Sequence, residues 1–403
     1  MLFASYHYHL DSASGAALCT RDLFEALTAR GWACGVVSGP HRDDPAGPPV
    51  GDVLRGQPGV VCVPGRVGRT TFSVYNFAAG GYPVTVVAPD PPAGSGPPGP
   101  SATAAFADVL GRVVRQFRPD VVLTYGGDPA SRAVAPAARA AGARAVFWLH
   151  NFAYTDPAFF WDYDAVVVPS GFARDRYWAT LGLACVALPP VLSRDRIPAA
   201  GGAVGRYVTF VNPEPAKGVF WFARVAAVLA RVRPDIPVLV VEARGRVDWL
   251  ARCGVDLRDV RTVHRMANTP DPRQFYRASR VVVMPSVCEE SFGRVAAEAV
   301  LAGIPVVASD RGALPETVGR GGAILPIPAE ITTDTRRPPS EPEVGPWVAA
   351  VARLWDDPGG VAAGVGAAAR VWDPVAVIDR WEEFLRGCGG AVRRDARPGA
   401  TCQ

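Results

Sequence analysis

The sequence predicts an α/β protein with two Rossmann-like, doubly wound domains that face each other across a cleft. Short β-branched runs alternate with Ala-, Leu- and Arg-rich helical stretches along the chain, which is typical of parallel sheets covered by helices. The alternation restarts after a Gly-rich, aperiodic segment at 193–205, and 403 residues are enough for two domains. Because ligands bind beyond the carboxyl ends of the strands in such sheets, we expect the functional site in the cleft.

The two halves of the chain show the same order of predicted elements. In the first half the strands are Leu2–Tyr6, Ala33–Ser38, Val60–Val63, Val84–Ala88, Val121–Tyr125, Ala145–Leu149 and Ala165–Pro169, and the helices are Ala16–Arg30, Ala102–Phe117 and Ser131–Ala141. In the second half the strands are Tyr207–Val211, Pro237–Glu242, Arg280–Met284 and Pro305–Ser309, and the helices are Val219–Val232, Gly293–Ala302 and Glu343–Trp355. We therefore expect domains at 1–192 and 206–370, joined by a linker at 193–205.

The end of the chain is predicted to leave this pattern. Residues 371–388 are amphipathic and include Asp-Pro, a helix start, so we expect a helix that crosses back to the first domain. Residues 389–403 are polar and rich in Gly and Arg, and we expect them to be disordered.

Composition excludes several classes of protein. The 42 basic and 38 acidic side chains give a net charge of +4, which does not indicate a nucleic-acid-binding protein. No apolar run approaches the ~18 residues of a membrane span, and the N-terminus lacks a basic leader, so we expect a cytoplasmic protein, monomeric or homodimeric, with no integral membrane segment. The eight cysteines form no C-x-x-C pair and do not cluster with the five histidines, so we expect no bound metal.

One lysine stands out among the basic residues. Lys217 is the single Lys among 42 basic side chains, and the other 41 are Arg, a bias that suggests a GC-rich genome. A lysine that persists in such a chain marks a position where a compact ammonium is needed. The simpler alternative is an exposed lysine in a Pro-rich loop.

The segment 281–316 carries most of the chemistry. It alternates strand, loop, helix and strand, and Ser291, Phe292 and Gly293 form the turn into the helix. A helix N-terminus with glycine at its start is a phosphate-binding element. Glu290 and Glu298 lie two turns apart, and a carboxylate such as Glu298 can bind the vicinal hydroxyls of a ribose. The alternative is a capped surface helix with two solvated glutamates.

This segment resembles the signature of family-4 retaining glycosyltransferases of the GT-B fold, also called group 1. The matching residues are Pro285–Ser286, Glu290, Phe292–Gly293, Glu298, Gly303–Ser309 and Gly312–Glu316. The resemblance implies that Glu290 contacts the donor sugar and Glu298 the nucleotide ribose. It also implies that backbone amides after the Phe-Gly pair, at Arg294 and Val295, hold the diphosphate.

A second block, Val208–Gly218, is a strand followed by a loop that delivers Lys217. The family carries an Arg and a Lys here, both on the diphosphate, but this chain has Asn212 where the Arg is expected. Arg294 and Arg244 are the candidates to replace that cation. The loop around Met266 is expected to border the nucleotide base.

The first domain is expected to bind the acceptor. His150 follows a strand, and the family often has a His here that touches the donor sugar, although a structural histidine is the alternative. In the first strand–helix loop, the amides at Gly15 are expected to approach the phosphates, and His9 and Asp11 to contact the acceptor. Gly127 is expected to border the acceptor cavity, and Ser170 and Arg174 to face the cleft.

The sequence thus predicts a retaining glycosyltransferase that moves a hexose-type sugar from a UDP-, GDP- or ADP-linked donor to a soluble small-molecule acceptor. Glu290, Lys217 and His150 are the expected catalytic residues, and no metal or other cofactor is expected, because Lys217 and helix amides offset the diphosphate charge. The alternatives are a nucleotide-sugar epimerase or a phosphorylase of the same fold, and a non-catalytic nucleotide-sugar-binding protein.

Overall fold

Two β-sheets organise the chain in the computed structural model, which describes residues 1–43, 47–90, 97–200, 205–255, 257, 262–357 and 359–389. One sheet has nine strands, all from the first half, and the other has six strands, all from the second half. Helices connect most of the parallel strands. The α/β class with two Rossmann-like sheets that the sequence predicts is therefore confirmed.

The first sheet is parallel around its centre and antiparallel at one edge. Its strands are β1 (Leu2–His7), β2 (Gly35–His41), β3 (Val61–Val67), β4 (Thr70–Ala79), β5 (Tyr82–Pro89), β6 (Val121–Thr124), β7 (Arg144–Trp148), β8 (Ala165–Val168) and β9 (Val186–Ala187). Their order is β3-β4-β5-β2-β1-β6-β7-β8-β9, with antiparallel pairing only between β3, β4 and β5. The strand order reverses between β1 and β6, which marks the ligand-binding edge of this sheet.

The antiparallel edge contains a strand that the sequence analysis did not predict, β4. It is joined to its neighbours by tight turns in which Gly68, Gly80 and Gly81 have positive φ. Such turns favour glycine because it lacks a Cβ, so the glycines were the available signal for a hairpin.

The helices of the first half lie beside the parallel strands. They are α1 (Gly15–Ala29), α2 (Val50–Arg55), α3 (Pro100–Phe117), α4 (Pro129–Arg132), α5 (Val134–Ala140) and α6 (Gly171–Leu181). The single helix predicted at Ser131–Ala141 is wrong, because it is divided at Ala133 into α4 and α5. Helix α4 starts earlier than predicted because the Asp128 side chain accepts hydrogen bonds from the amides of Ala130 and Ser131.

The second sheet is fully parallel. Its strands are β10 (Tyr207–Val211), β11 (Val238–Val241), β12 (Val263–Met266), β13 (Ser279–Met284), β14 (Val306–Ser309) and β15 (Gly322–Leu325), and its order is β12-β11-β10-β13-β14-β15. This is the Rossmann order, with its reversal between β10 and β13. The two edge strands, β12 and β15, were not predicted, because neither is a run of buried β-branched residues.

The remaining helices pack on the second sheet or follow it. They are α7 (Val219–Val232), α8 (Asp248–Ala251), α9 (Arg273–Ala278), α10 (Arg294–Leu301), α11 (Leu314–Val318), α12 (Glu341–Asp356), α13 (Gly359–Val371) and α14 (Pro374–Gly389). Val281, Val282 and Val283 of β13 are fully buried although successive side chains point to opposite faces. Helices therefore cover both faces of this sheet, as in doubly wound folds.

The last helix, α14, lies on the first domain. Trp381 is fully buried against Trp148 of β7, with ring centroids 4.6 Å apart, and its Nε1 donates to the Pro189 carbonyl at 2.8 Å. Arg30 of α1 forms an ion pair with Asp379. Residues 390–403 of the expected disordered tail, and 201–204 of the expected linker, lie outside the described residues.

By length and apolar composition, the stretch Gly359–Cys388 meets the requirements of a membrane-spanning helix. In the folded chain it is two helices, α13 and α14, separated at Trp372 and Asp373. Val365 and Ala368 of α13 and Trp381 of α14 are buried, so each helix packs one face against the rest of the protein.

Candidate functional site

Two helices that begin with glycine flank the reversal point of the second sheet. Helix α7 follows β10 after Gly218, and helix α10 follows β13 after Gly293, with φ values of 80° and 87°. A Cβ on Gly218 would lie 1.8 Å from the Pro285 carbonyl oxygen, and one on Gly293 would lie 2.6 Å from Leu314. Within the described chain no side-chain hydrogen bond caps either helix. The first amide of α7, at Val219, donates to the Glu214 carbonyl at 3.3 Å, so α7 offers its following amides and α10 its first amides for binding an anion.

Lys217 and Glu290 meet between these two helix N-termini. The Lys217 Nζ lies 2.7 Å from Glu290 Oε1, and the Ser286 hydroxyl donates to the same oxygen at 2.7 Å. The Lys217 and Glu290 side chains are 24% and 11% exposed. Lys217 is therefore not the exposed lysine of the simpler alternative, but part of a half-buried ion pair.

The backbone of Glu290 is held by the loop after β14. Glu290 and Gly312 form an isolated parallel bridge, and the Ala313 amide donates to the Glu290 carbonyl at 2.8 Å. A Cβ on Gly312 would lie 2.3 Å from the Glu290 carbonyl oxygen, so this approach requires glycine. The motif at Gly312–Glu316 thus positions Glu290.

Both members of the ion pair are charged at neutral pH. Burial opposes ionisation of each group, but the pairing outweighs it. The pKa of Glu290 lies below its ordinary value because Lys217, Ser286 and Arg244 stabilise the carboxylate. The pKa of Lys217 lies above its ordinary value, chiefly because of Glu290.

Asn212 connects the loops after β10 and β11. It has a φ of 66°, its Oδ1 accepts from the Gly245 amide at 2.6 Å, and its Nδ2 donates to Glu214 Oε1 at 2.9 Å. Arg244 donates to the same Glu214 oxygen at 3.1 Å and lies 3.7 Å from Asp43 of the first domain. Arg244 therefore reaches across the cleft near the Lys217–Glu290 pair.

Glu298 is a buried carboxylate with partners on both oxygens. Arg294 Nε donates to Oε1 at 2.6 Å, and the Tyr276 hydroxyl donates to Oε2 at 2.7 Å. Glu298 is 6% exposed, which excludes the solvated surface glutamate considered as its alternative. Arg294 also pairs with Asp22 of α1, so this cluster joins the two domains.

His150 is half-buried at the carboxyl edge of the first sheet, and its Nε2 atom is buried. Its ring packs against Trp148 and Tyr125, with centroids 4.6 and 5.3 Å away. Its Nε2 has no hydrogen-bond partner among the described residues. Burial, together with the nearby Arg294, lowers the pKa of His150 to about 3, so its ring is neutral at physiological pH.

The loops of the two domains meet beside His150. The Ser291 hydroxyl donates to the His150 carbonyl at 2.6 Å, and the Ser170 hydroxyl donates to the Ser291 carbonyl at 2.7 Å. Glu316 accepts from the amides of Gly171 and Phe172 at the start of α6, at 3.0 and 2.9 Å. The Ser291 side chain therefore faces the first domain.

The expected role of His9 needs correction. His9 is fully buried, its Nε2 lies 2.9 Å from the Tyr82 hydroxyl, and burial lowers its pKa to about 3. It is a core residue and cannot contact an acceptor where it lies. Asp11 accepts from the amides of Ala13 and Asp43 at 2.9 and 2.7 Å, so it shapes the loop.

The other expected site residues lie in or beside the core, at a strand end, or at the exposed surface. Phe292 is 5% exposed and packs edge-on against Trp372, and Val295 is half-buried beside that core. Met266 ends β12 and is half-buried. Gly15 is exposed at the start of α1, Gly127 is exposed beside Tyr154, and Arg174 is exposed and pairs with Asp175.

Several residues of the cleft were missed by the sequence analysis. They are Asp22, Glu214, Tyr276, Asp43 and Tyr125, which contact the predicted residues from other elements. A signal existed only for Asp22, an acidic residue among the apolar positions of the buried side of α1. Among the described residues, no group of three or more His, Cys, Asp or Glu side chains is arranged to hold a metal ion.

Family profiles match both halves of the chain. The profile described as "Glycosyltransferase Family 4" matches residues 13–190, and the one described as "Glycosyl transferases group 1" matches residues 202–337. The second match contains Lys217, Glu290 and Glu298.

Curated relatives match part of the chain. A D-inositol 3-phosphate glycosyltransferase of Arthrobacter sp. strain FB24 is 33% identical over 175 residues, which are 40% of this chain and 38% of that protein. One from Thermobispora bispora is 30% identical over 187 residues, 43% of this chain and 40% of that protein. The matched stretches thus span about two fifths of these relatives.

Solved structures match nearly the whole fold. The sucrose-phosphate synthase of Thermosynechococcus elongatus has a TM-score of 0.64 and 17% identity, covering 96% of this chain and 98% of that chain. HepE of Anabaena, in complex with UDP and glucose, has a TM-score of 0.63 and 18% identity with the same coverage. These likenesses establish the fold, and the two profiles together cover more than three quarters of the sequence. The chain belongs to the family-4, group 1 glycosyltransferases of the GT-B fold.

Proposed function

We propose that this glycosyltransferase transfers a hexose-type sugar from a nucleoside-diphosphate sugar to a soluble small-molecule acceptor, with retention of configuration and without a metal ion. The observation that carries the proposal is the Lys217–Glu290 pair, at 2.7 Å, between two glycine-initiated helix N-termini. A diphosphate bound there would meet one ammonium and the amides of two helices.

The leaving group gains negative charge as the bond to the sugar breaks. Preorganised positive groups at the place where charge develops lower the barrier most when water is excluded. Lys217 and the amides at Gly293–Val295 supply such groups. Glu290 then exchanges part of its contact with Lys217 for hydroxyls of the donor sugar and orients the sugar ring.

Retention is proposed to follow from front-face attack. Three first-domain carboxylates near the cleft have partners: Asp11 and Asp128 accept hydrogen bonds from backbone amides, and Asp43 lies 3.7 Å from Arg244. A β-phosphate oxygen of the donor would take the proton of the acceptor. His150, neutral and with an unpartnered Nε2, would contact the sugar.

Glu298 is proposed to bind the ribose through its remaining lone pairs. Each of its oxygens already accepts one hydrogen bond, from Arg294 or Tyr276, and each carboxylate oxygen can accept two. The two existing contacts hold the carboxylate in one orientation, which favours binding of two vicinal hydroxyls.

The proposed acceptor and donor are supported by the similarity to known proteins. The matched curated relatives are named for a phosphorylated inositol acceptor, which supports a small polar acceptor. HepE binds UDP and glucose, which supports a nucleotide-linked sugar as the donor. The epimerase, phosphorylase and non-catalytic alternatives share the fold. A pyridoxal phosphate-dependent phosphorylase is disfavoured because Lys217 is held as an ammonium by Glu290.

The proposal is tested first with UDP, GDP and ADP in thermal shift assays and then by turnover with the matching sugar nucleotides. We expect one diphosphate to stabilise the protein, and Lys217→Ala to lower kcat by about 10²–10³-fold because one charge-stabilising donor is lost. Lys217→Arg, which keeps the charge on a planar group, is the control and should retain more activity. Turnover of Lys217→Ala within about threefold of the unsubstituted protein would contradict the proposal.

A further inference from the structure

Lys217 alone carries too little positive charge to balance a nucleoside diphosphate bound in the cleft. A nucleoside diphosphate brings at least two negative charges, and Lys217 is already paired with Glu290. The sequence offers Arg294 and Arg244 as candidates for a further cation. The structure distinguishes between them by their contacts.

Arg294 is committed to the contact between the domains. Its guanidinium donates to Glu298, to Asp22 and to the Cys19 sulfur, so all three of its nitrogens have partners. Its side chain is 13% exposed, and the Asp22 side chain is fully buried. Moving Arg294 to a phosphate would leave the buried Glu298 without its cation and the buried Asp22 with Arg196 alone, which is costly.

Arg244 is held differently. Its side chain is 43% exposed, and its partners are Glu214 at 3.1 Å and Asp43 at 3.7 Å, both of which are accessible to solvent. The Glu214 and Asp43 side chains are 20% and 25% exposed, so exchanging them for a phosphate leaves both carboxylates in contact with solvent and costs less than uncovering the fully buried Asp22. Arg244 also helps to hold the Glu290 carboxylate ionised, which indicates that its charge is felt at the Lys217–Glu290 pair.

Asn212 brings Arg244 to this position. Its amide group bonds both Glu214 of its own loop and the Gly245 backbone, the residue directly after Arg244. A Cβ on Gly245 would lie 2.6 Å from the Pro213 carbonyl group, so the two loops are as close as their backbones allow. The Lys217 amide donates to the Glu214 carbonyl at 3.0 Å, so the same loop carries Lys217.

We propose that Arg244 is the second cation of the diphosphate site, placed there by the contacts of Asn212 with Glu214 and Gly245, and that it binds the donor diphosphate together with Lys217. On binding, the guanidinium exchanges Glu214 and Asp43 for two phosphate oxygens, which its planar fork can contact side by side. Asn212 is a positioning residue that does not itself touch the donor. This inference rests on the proposed function.

The test compares affinities for a nucleoside and its diphosphate by isothermal titration calorimetry. The probe pair is UDP and uridine, GDP and guanosine, or ADP and adenosine, whichever diphosphate the unsubstituted protein binds. We expect Arg244→Ala to weaken diphosphate binding by about tenfold or more while nucleoside affinity stays unchanged, and Arg244→Lys to recover part of the loss. Arg231→Ala is the control. Arg231 lies at the far end of α7, about 20 Å from the N-terminus of this helix, so the variant should bind like the unsubstituted protein.

A double-mutant cycle tests the role of Asn212. If Asn212 acts through Arg244, the single substitution Asn212→Ala weakens diphosphate binding. In the Arg244→Ala background, the same substitution adds no further loss. Equal losses in both backgrounds would overturn the positioning role. If the unsubstituted protein binds the diphosphate and Arg244→Ala binds it with the same affinity, the assignment of Arg244 is overturned. The proposed function is not affected by that result. Absence of binding of UDP, GDP and ADP to the unsubstituted protein would overturn both.

Discussion

At the scale of single residues, the cleft is defined by charged groups that are buried only because each has a partner. Taking a carboxylate or an ammonium out of water is costly unless an opposite charge and hydrogen bonds replace the solvent. Glu290 has Lys217 and Ser286, and Glu298 has Arg294 and Tyr276. These pairs hold the side chains in single orientations before any ligand arrives.

Ionisation of Glu290 gives a pH-dependent contribution to stability. Because its native pKa is below the ordinary value of 4.5, the carboxylate stabilises the fold above that pH, and this contribution is lost as the pH falls through the native pKa. The raised pKa of Lys217 gives a contribution that is fully present below pH 10.5 and is lost only as the pH rises above that value. The difference in thermal unfolding midpoint between the unsubstituted protein and Glu290→Gln should therefore shrink as the pH is lowered from neutral to below 4.5.

Glu289→Gln is the matched control for that measurement. Glu289 is the neighbouring residue, its side chain is 41% exposed, and it pairs with Arg176 on the surface. Its substitution should leave the pH profile of the unfolding midpoint as it is. A difference for Glu290→Gln that stays constant over the whole range would contradict the assigned ion pair.

At the scale of elements, glycine at the start of α7 and of α10 decides how closely the helices approach the strands and loops beside them. Both residues have positive φ, and both lack the space for a Cβ. The helix starts were predicted to within one residue, because glycine punctuation and apolar periodicity are local signals. The hairpins of β4 were missed although its partners β3 and β5 are its neighbours in the chain, because the turn glycines Gly68, Gly80 and Gly81 were not read as hairpin signals.

Gly293→Ala should lower both the unfolding midpoint and the affinity for a nucleoside diphosphate. The added methyl group meets Leu314 at 2.6 Å, and a non-glycine residue at a φ of 87° is strained by about 1 kcal/mol. Thermal unfolding and calorimetry on the variant measure the two effects.

Gly366→Ala in α13 serves as the control, because a Cβ there meets nothing within 4 Å. Alanine is favoured over glycine in helices by about 1 kcal/mol, so this variant should be as stable as the unsubstituted protein or more so. An unchanged diphosphate affinity in Gly293→Ala would show that the α10 amides do not bind the ligand.

At the scale of the whole molecule, charged and polar contacts hold the two domains together around the cleft. Asp22 of α1 pairs with Arg294 of α10 and with Arg196 between the domains, and its side chain is fully buried. Helix α14 adds an apolar contact by packing Trp381 on the first domain. The cleft is therefore closed on one side by ion pairs and spanned by the end of the chain.

Asp22→Asn should destabilise the fold by about 3 kcal/mol, because it leaves two arginines without their buried carboxylate. A urea unfolding midpoint measures this loss. Asp379→Asn removes a carboxylate that is 60% exposed from the pair with Arg30, and it should cost less than about 1 kcal/mol. Equal midpoints for the two variants would contradict the bridging role of Asp22.

The sequence by itself determined the α/β pattern in two halves, the helix that starts between Glu290 and Glu298, and the place of Lys217 after a strand, because each depends on local periodicity or glycine. Only the tertiary structure decided that His9 belongs to the core, that Glu298 also contacts Tyr276, and that Arg244 lies beside Glu214. Those contacts join residues far apart in the chain, 73 positions for Lys217 and Glu290 and 272 for Arg294 and Asp22. No local pattern encodes them, because they arise only when the sheets bring the carboxyl ends of their strands to one cleft.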